Sequence, residues 1–400
     1  MKCSANRGII IIMKKSGNKI SVLGALVISL SFLLFSFAEY RPNRVLTGID
    51  ISAKELFGNG FFLLLLISIL LVVLTALNKQ SYKITIGLFI LLIVGLVLYL
   101  LGDALKNDLF NQTSAGRMSI GGGLWVFLLG FFMVLSGNFK DYEKAMLHSR
   151  LFYLAVFLII VFFLISGHLD NLSIMKEFFN RSHTFYRQLN RHFFLAFFSV
   201  LVGILIGIPM GILIHKNKRT NNPLLFLINL GQTIPTLSLL GLIMVPLTFF
   251  GEQSEFLRNI GIRGVGFTPA FLVLIIYALF PIVHNTIAGL NMVDQNLLEI
   301  ASGMGMKEHQ AFWKVQLPLS LSVILGGIRT AMTQSIGNTI LAGLIGGGGL
   351  GSIIFLGLAQ AAPDLILLGV IPLIAMAFML DSMLSFSIFY YRKKVLGVQE

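Results

Sequence analysis

The chain is poor in cysteine, tryptophan and charge. Its 400 residues include one cysteine, Cys3, two tryptophans, Trp125 and Trp313, and 17 acidic residues against 30 lysines and arginines. A lone cysteine excludes an intrachain disulfide and a thiolate metal cluster, and with them dithiol redox chemistry and a Cys-based zinc site. His215, His284 and His309 stand apart from carboxylates and from one another at metal-ligand spacing, which fits edge or loop roles better than catalysis, and no metal site is expected. A phosphate-binding Gly-x4-Gly-Lys-Ser/Thr motif is absent, so a nucleotide-driven energy source would have to be another chain. The formal net charge of +13 is scattered through short segments between apolar runs, which points to membrane topology and away from nucleic acid.

What the chain has in excess is apolar sequence. Hydrophobic residues make up 56% and charged residues only 12%, with a mean hydropathy of +0.87, outside the composition of soluble domains. A hydrocarbon layer about 30 Å thick needs about 20 apolar residues per helix. Such runs fall near residues 20–38, 61–77, 84–101, 120–136, 151–167, 193–214, 224–250, 270–290, 321–345 and 364–390, about ten spans. With both termini cytoplasmic, about 18 lysines and arginines lie inside against about 11 outside, and acidic residues run the other way. Two readings are open at the start. Lys14, Lys15 and Lys19 precede the first run, and Ser36-Phe37-Ala38 resembles a small-x-small cleavage site, but the run is longer than a usual signal core and favours a retained helix. Met13 is an alternative start.

The two halves differ. Residues 1–190 hold five spans with short loops and no cluster of polar groups. Residues 191–392 carry prolines within spans (Pro209, Pro235, Pro246, Pro281) and amide and hydroxyl side chains on them, which membranes tolerate where protein or a wet path satisfies the backbone. A tail, 393–400, follows. Thr330, Thr333, Gln334, Gly337, Asn338 and Leu341 recur at helical spacing as one mostly polar stripe, suited to a translocation path or to a helix interface. Gln232, Thr233 and Ser238 flank Pro235, where a proline frees a backbone carbonyl; a path or a plain kink fits them equally. Arg329 and Asp381 sit at matching depths, about 12–15 Å from one end of their spans, and unpaired charge in hydrocarbon costs several kcal/mol. They are expected to pair or to face water, in packing or in gating. Gly346, Gly348 and Gly351 spell a nominal G-x-G-x-x-G, but no strand precedes them and no acid follows at the right distance, so a glycine hinge over Gly346, Gly347, Gly348, Gly349 and Gly351 is the better reading.

The longest polar interruption runs from about 291 to 320. Leu297, Leu298 and Ala301 give its first segment an apolar face, Gly303 and Gly305 break it, and a second segment carries Phe312 and Trp313, expected to be exposed for a partner. Glu299, Ala301 and Gly305 followed by Leu317-Pro318 resemble the "EAA" loop of permease subunits in binding-protein-dependent ABC importers, although Ile300 stands where that family usually has alanine. Ile206 to Gly211, Gln232-Thr233-Ile234-Pro235, Tyr277 to Pro281 with Asn285-Thr286, Gly327 to Ala331 and Ile336 to Gly351 resemble the osmoprotectant branch, which imports glycine betaine, choline or carnitine. Five additional N-terminal spans are similar to a longer subgroup of it.

The resemblance implies an all-α integral membrane protein of about ten transmembrane helices, ending in a five-helix type I importer core. It also implies that loop residues Glu299, Ala301, Gly305, Phe312, Trp313, Leu317 and Pro318 couple to a cytoplasmic ATPase that holds ATP and Mg, this chain binding no cofactor and performing no covalent chemistry. Further expected partners are an external or periplasmic binding protein and a second permease subunit, identical or not, in a bacterial cytoplasmic membrane. Permeases for methionine or another small solute, and an ion-coupled carrier, are the alternatives. An aromatic cage for a quaternary ammonium cannot be located among 35 phenylalanines and 9 tyrosines.

Overall fold

The computed structural model describes residues 19–42, 48–77, 80–106, 116–139, 145–259, 261–395 and 397; Cys3, Met13 and residues 398–400 lie outside these. The chain divides into two compact units, Met1–Asn180 and Arg181–Glu400. Seven helical runs among the described residues are long and apolar enough to cross a membrane, and four apolar helices are shorter.

The first unit is built on α1 (Lys19–Leu34), α3 (Gly60–Leu77), α4 (Lys83–Ala104), α5 (Gly122–Phe139) and α6 (Ala145–Ile165). Their apolar side chains run all round each helix, as lipid and a shared core both demand. Ile28, Leu64, Leu71, Ile90, Ile93 and Leu135 are almost fully buried in one continuous cluster. A few hydroxyls stitch it: Ser29 Oγ donates to Ser68 Oγ at 3.1 Å between α1 and α3.

One end of this unit carries a three-stranded antiparallel sheet absent from the sequence reading. Its order is β2 (Ile49–Ser52), β1 (Ser36–Arg41), β3 (Arg117–Ile120). Ala38 faces Ile51 on one side and Ile120 on the other. Arg41 stands opposite Arg117, an unfavourable pairing relieved because Arg41 bonds Glu39 at 3.0 Å and Arg117 bonds the buried Glu177 of α7 (Ser173–Asn180). Ser52 caps α2 (Ala53–Phe57) and Glu55 completes the capping box, which holds its carboxyl below the usual range. The first apolar run therefore ends at Leu34 rather than 38, and Phe37 and Ala38 of the cleavage-like stretch are buried in β1.

The second unit begins with α8 (Ser182–Lys216), whose 35 residues span about 52 Å, longer than a hydrocarbon layer is thick. Gly203, Gly207 and Gly211, four residues apart, let its backbone lie against α12 (Phe267–Asn291). A Cβ at Gly211 would come within 2.7 Å of Thr286 Cβ, and one at Gly207 within 2.9 Å of Ile282 Cγ2. Residues 224–250 are not one span. They form the end of α9 (Lys218–Thr233) and most of α10 (Thr236–Gln253), broken at Ile234-Pro235 because proline offers no N–H to continue the ladder. After α11 (Glu255–Asn259) and α12 come α13 (Gln295–Gly303), α14 (Glu308–Ala311), a π turn over Phe312–Gln316 and α15 (Leu317–Asn338). The expected span 321–345 is helical throughout but tightens to 3-10 geometry over Thr339–Ile345. The short α16 (Leu350–Ala359) and the long α17 (Pro363–Val395) complete the unit, which thus holds five of the seven long apolar runs.

Candidate functional site: a capped loop, a polar stripe and a pinned glycine turn

The loop between α12 and α15 is ordered by local chemistry. Asp294 caps α13 by accepting from Asn296 N at 3.0 Å. At the far end Met306 N donates to Ala301 O (3.1 Å) and Gly305 N to Ser302 O (2.9 Å), a Schellman closure whose left-handed residue is Gly305, φ +84°. Any other residue there is strained. Ala301 is buried, which anchors α13, while Glu299 and Gly305 are exposed. Phe312 corrects the sequence expectation. Only 6% of it is exposed, under a Lys216 ammonium 4.6 Å from its ring centroid, and Trp313 alone of the two points outward, 53% exposed.

The apolar face of α13 also differs from the expected one. Leu297, Ile300 and Met304, at i, i+3 and i+7, are 45%, 60% and 74% exposed and form an unburied stripe, whereas Ala301 turns inward. Leu317 and half-buried Pro318 lead into α15; the Pro318 carbonyl accepts from Tyr391 Oη at 2.8 Å. Proline at the start of α15 leaves a backbone acceptor one turn earlier without its N–H, and the helix widens into the π turn there. From Glu308 onward, the second half of the loop and the span are one continuous helical path.

On α15, Thr330 and Thr333 are exposed and bond their own helix, to Gly326 O and Arg329 O at 3.1 Å each, so their methyls and hydroxyl oxygens line the open face. Gln334 and Asn338 lie beside them, half-buried. The opposite face packs on α8: Ser335 Oγ donates to Ala196 O at 3.1 Å and lies 3.0 Å from Ser199 Oγ. Gln334 Oε1 and Gln232 Oε1 are the buried side-chain oxygens without a hydrogen-bond partner among the described residues. Each is an acceptor awaiting a donor. Thr233 and Pro235 are exposed at the α9–α10 break, and Tyr277 Oη of α12 donates to the Ile234 carbonyl that the break sets free. The hydroxyls of Thr233, Thr330 and Thr333 bond their own helices, and no hydrogen bond joins the polar groups of α9 and α15 among the described residues.

Arg329 and Asp381 join α15 to α17 through a bidentate pair, Nε to Oδ1 at 2.6 Å and Nη2 to Oδ2 at 2.7 Å. Two parallel charge-assisted bonds remove much of the cost of placing either charge in an apolar layer.

The glycine segment, read from sequence as a hinge, is held at its backbone by three side chains of α8. Gln188, Arg191 and His192, one polar face near the start of α8, hold it through its backbone. Gly349 N donates to Gln188 Oε1 (2.7 Å), Arg191 Nε donates to Gly347 O (3.2 Å), and Leu350 N donates to His192 Nδ1 (3.3 Å). Fully buried His192 therefore carries its proton on Nε2, toward Ile336 O at 3.1 Å. Gly346, Gly348 and Gly349 have φ of +74°, +85° and +91°. At Gly351 a Cβ would lie 1.9 Å from Ile340 O, so α16 meets the 3-10 turn backbone to backbone.

A multi-pass helical bundle with a capped polar loop, a polar face on the following helix and prolines inside spans defines a membrane transport component. Residues 203–395 match the family model for the binding-protein-dependent transport system inner membrane component, and residues 18–175 match the N-terminal domain of ABC transporter permease YehY. The carnitine transport permease protein OpuCB of Listeria monocytogenes is 37% identical over 52% of this chain and 88% of its own length. The glycine betaine/carnitine/choline transport system permease protein OpuCB of Bacillus subtilis (strain 168) is 34% identical over 48% and 82%. The choline transport system permease protein OpuBB of the same organism is 35% identical over the same shares. The chain belongs to the binding-protein-dependent transport system inner membrane components, a permease family.

Proposed function

We propose that this chain is the membrane-spanning subunit of an ATP-driven importer for small quaternary amines such as glycine betaine, choline or carnitine. The observation that carries the reading is the loop 291–320, ordered by its own caps yet presenting Leu297, Ile300, Met304 and Trp313 to solvent in a chain of this family. Exposed apolar side chains on a rigid scaffold are what a docking partner buries. That partner is a cytoplasmic ATPase carrying ATP and Mg, with the N- and C-termini on the same side of a bacterial cytoplasmic membrane. Two permease subunits, identical or paired with a relative, receive cargo from an external binding protein. ATP-driven closure of the ATPases displaces the loop, and because α14, the π turn and α15 are continuous, the face bearing Thr330, Thr333, Gln334 and Asn338 reorients with them. The oxygens of Gln232 and Gln334, buried and without a hydrogen-bond partner among the described residues, support a path that opens onto them when the spans reorient.

Co-expression with the ATPase and binding protein, followed by purification and reconstitution, tests the reading. Hydrolysis is expected to rise with binding protein and glycine betaine together, and labelled glycine betaine to enter the vesicles. Stimulation that survives deletion of residues 299–315, or uptake driven by an ion gradient without ATP, contradicts it.

A further inference from the structure

His215 sits at the last turn of α8, with no carboxylate or other histidine near it in sequence. In space it joins the two residues that bracket the loop. Its Nδ1 lies 2.8 Å from Oδ1 of Asn291, the last residue of α12, and its Nε2 lies 3.2 Å from Nε2 of Gln316, the last residue of the π turn. One proton arrangement satisfies every group. The Asn291 amide oxygen can only accept, so His215 Nδ1 carries the hydrogen; Nε2 is then an acceptor and takes one Gln316 amide hydrogen. The second hydrogen of that amide goes to Leu290 O at 3.4 Å. Gln316 is 9% exposed, and next to His215 the Lys216 ammonium covers the Phe312 ring. The neck of the loop is therefore closed by α8, an element 76 and 101 residues away in sequence from the two ends it holds.

We infer that His215 is a positioning residue, the clasp that makes α8, α12 and the π turn leading into α15 share a load applied to the loop. The inference rests on the proposed ATPase-docking role of that loop. Without the clasp, displacement of α13 and α14 is absorbed more readily at the neck, where the 3.4 Å bond from Gln316 Nε2 to Leu290 O then joins the two ends without α8. With the clasp, the displacement is delivered to three membrane helices at once.

The test uses the complete transporter in proteoliposomes, with glycine betaine as probe and glycine betaine delivered per ATP hydrolysed as the readout. His215→Ala is expected to lower that ratio about three- to tenfold, the scale of one or two lost hydrogen bonds. Gln316→Ala lowers it less, and in the double variant the two losses fall short of adding, because one Gln316 arm ends on the imidazole and only the longer 3.4 Å arm to Leu290 O is independent of it. His215→Asn, which keeps an amide N–H toward Asn291, recovers part of the loss. A merely structural role lowers yield and hydrolysis together and leaves the ratio where it was. An unchanged ratio in His215→Ala, or losses that add in the double variant, overturns the clasp. If His215→Ala does not assemble, the Gln316→Ala ratio decides, a fall supporting the clasp and no change overturning it. Trp313→Ala, measured for ATPase association in parallel, separates the two readings. Association that persists there removes the docking role, whereas weakened association with an intact His215→Ala ratio removes the clasp alone.

Discussion

The two units solve the same problem, holding apolar helices together, in different ways. In the first, side chains from five helices meet in one continuous cluster around Leu64, Leu71, Ile90 and Ile93, hydroxyls mostly bond their own helix, and polar bonds between elements, such as Asn138 Nδ2 to Lys83 O and Arg117 to Glu177, supplement that cluster. In the second, apolar clusters are small and separated, and long-range polar bonds run between them: Gln188, Arg191 and His192 to the glycine turn, Arg329 to Asp381, Tyr277 to Ile234, His215 to the loop neck. A continuous apolar core has one good packing, because voids and overlaps cost in proportion to the change. A set of discrete polar bonds can be exchanged one at a time. On this comparison the second unit, rather than the first, is the one we propose to move during transport.

Substitutions in the two units should therefore fail differently. The largest effect is expected for Leu64→Ala, which empties a fully buried site and costs about 2–5 kcal/mol. Thermal unfolding in detergent should shift down while the assembled fraction keeps its uptake per ATP; a change in that ratio would erase the distinction between the units. Arg329→Gln comes next. It leaves Asp381 ionised without its bidentate partner in an apolar layer, about 2–3 kcal/mol, and should lower both stability and transport. Arg329→Met with Asp381→Leu, which removes both charges, should restore stability but not transport if the pair is exchanged during the cycle. Restoration of both makes the pair a packing device. The smallest effect is expected for Tyr277→Phe, which strips a donor from the freed Ile234 carbonyl at the α9–α10 break, about 1 kcal/mol. It should alter uptake rate more than melting temperature, measured side by side on the same preparation.

Much of the fold was legible in sequence because lipid imposes a length and a composition on each span, and α3, α4, α8, α12 and α17 fall on their apolar runs. The strands were not. Ile49–Ser52 and Arg117–Ile120 are four residues each, too short for alternation to register, and they are stabilised by pairing with a strand up to about 80 residues away. The break at Pro235 sits within an apolar stretch that hydropathy reads as continuous. At the loop, Gly305 could be read because a Schellman closure is local. Phe312 could not, since what buries it is Lys216 of another helix. The same distance hid the grip of Gln188, Arg191 and His192 on the glycines and left His215 looking isolated. Local signals name elements; the partners that give a polar residue its role are chosen by the tertiary fold.

The exposed stripe of α13 bears the weight of the functional reading, and the affinity of the ATPase for Ile300→Asp measures it most directly. Ile300 is 60% exposed, so the substitution should leave the isolated subunit folded and monodisperse. Burying an unpaired carboxylate in an apolar contact should weaken ATPase binding at least about tenfold and abolish substrate-stimulated hydrolysis. Wild-type affinity with full stimulation in that variant would show that the motor does not dock on this face.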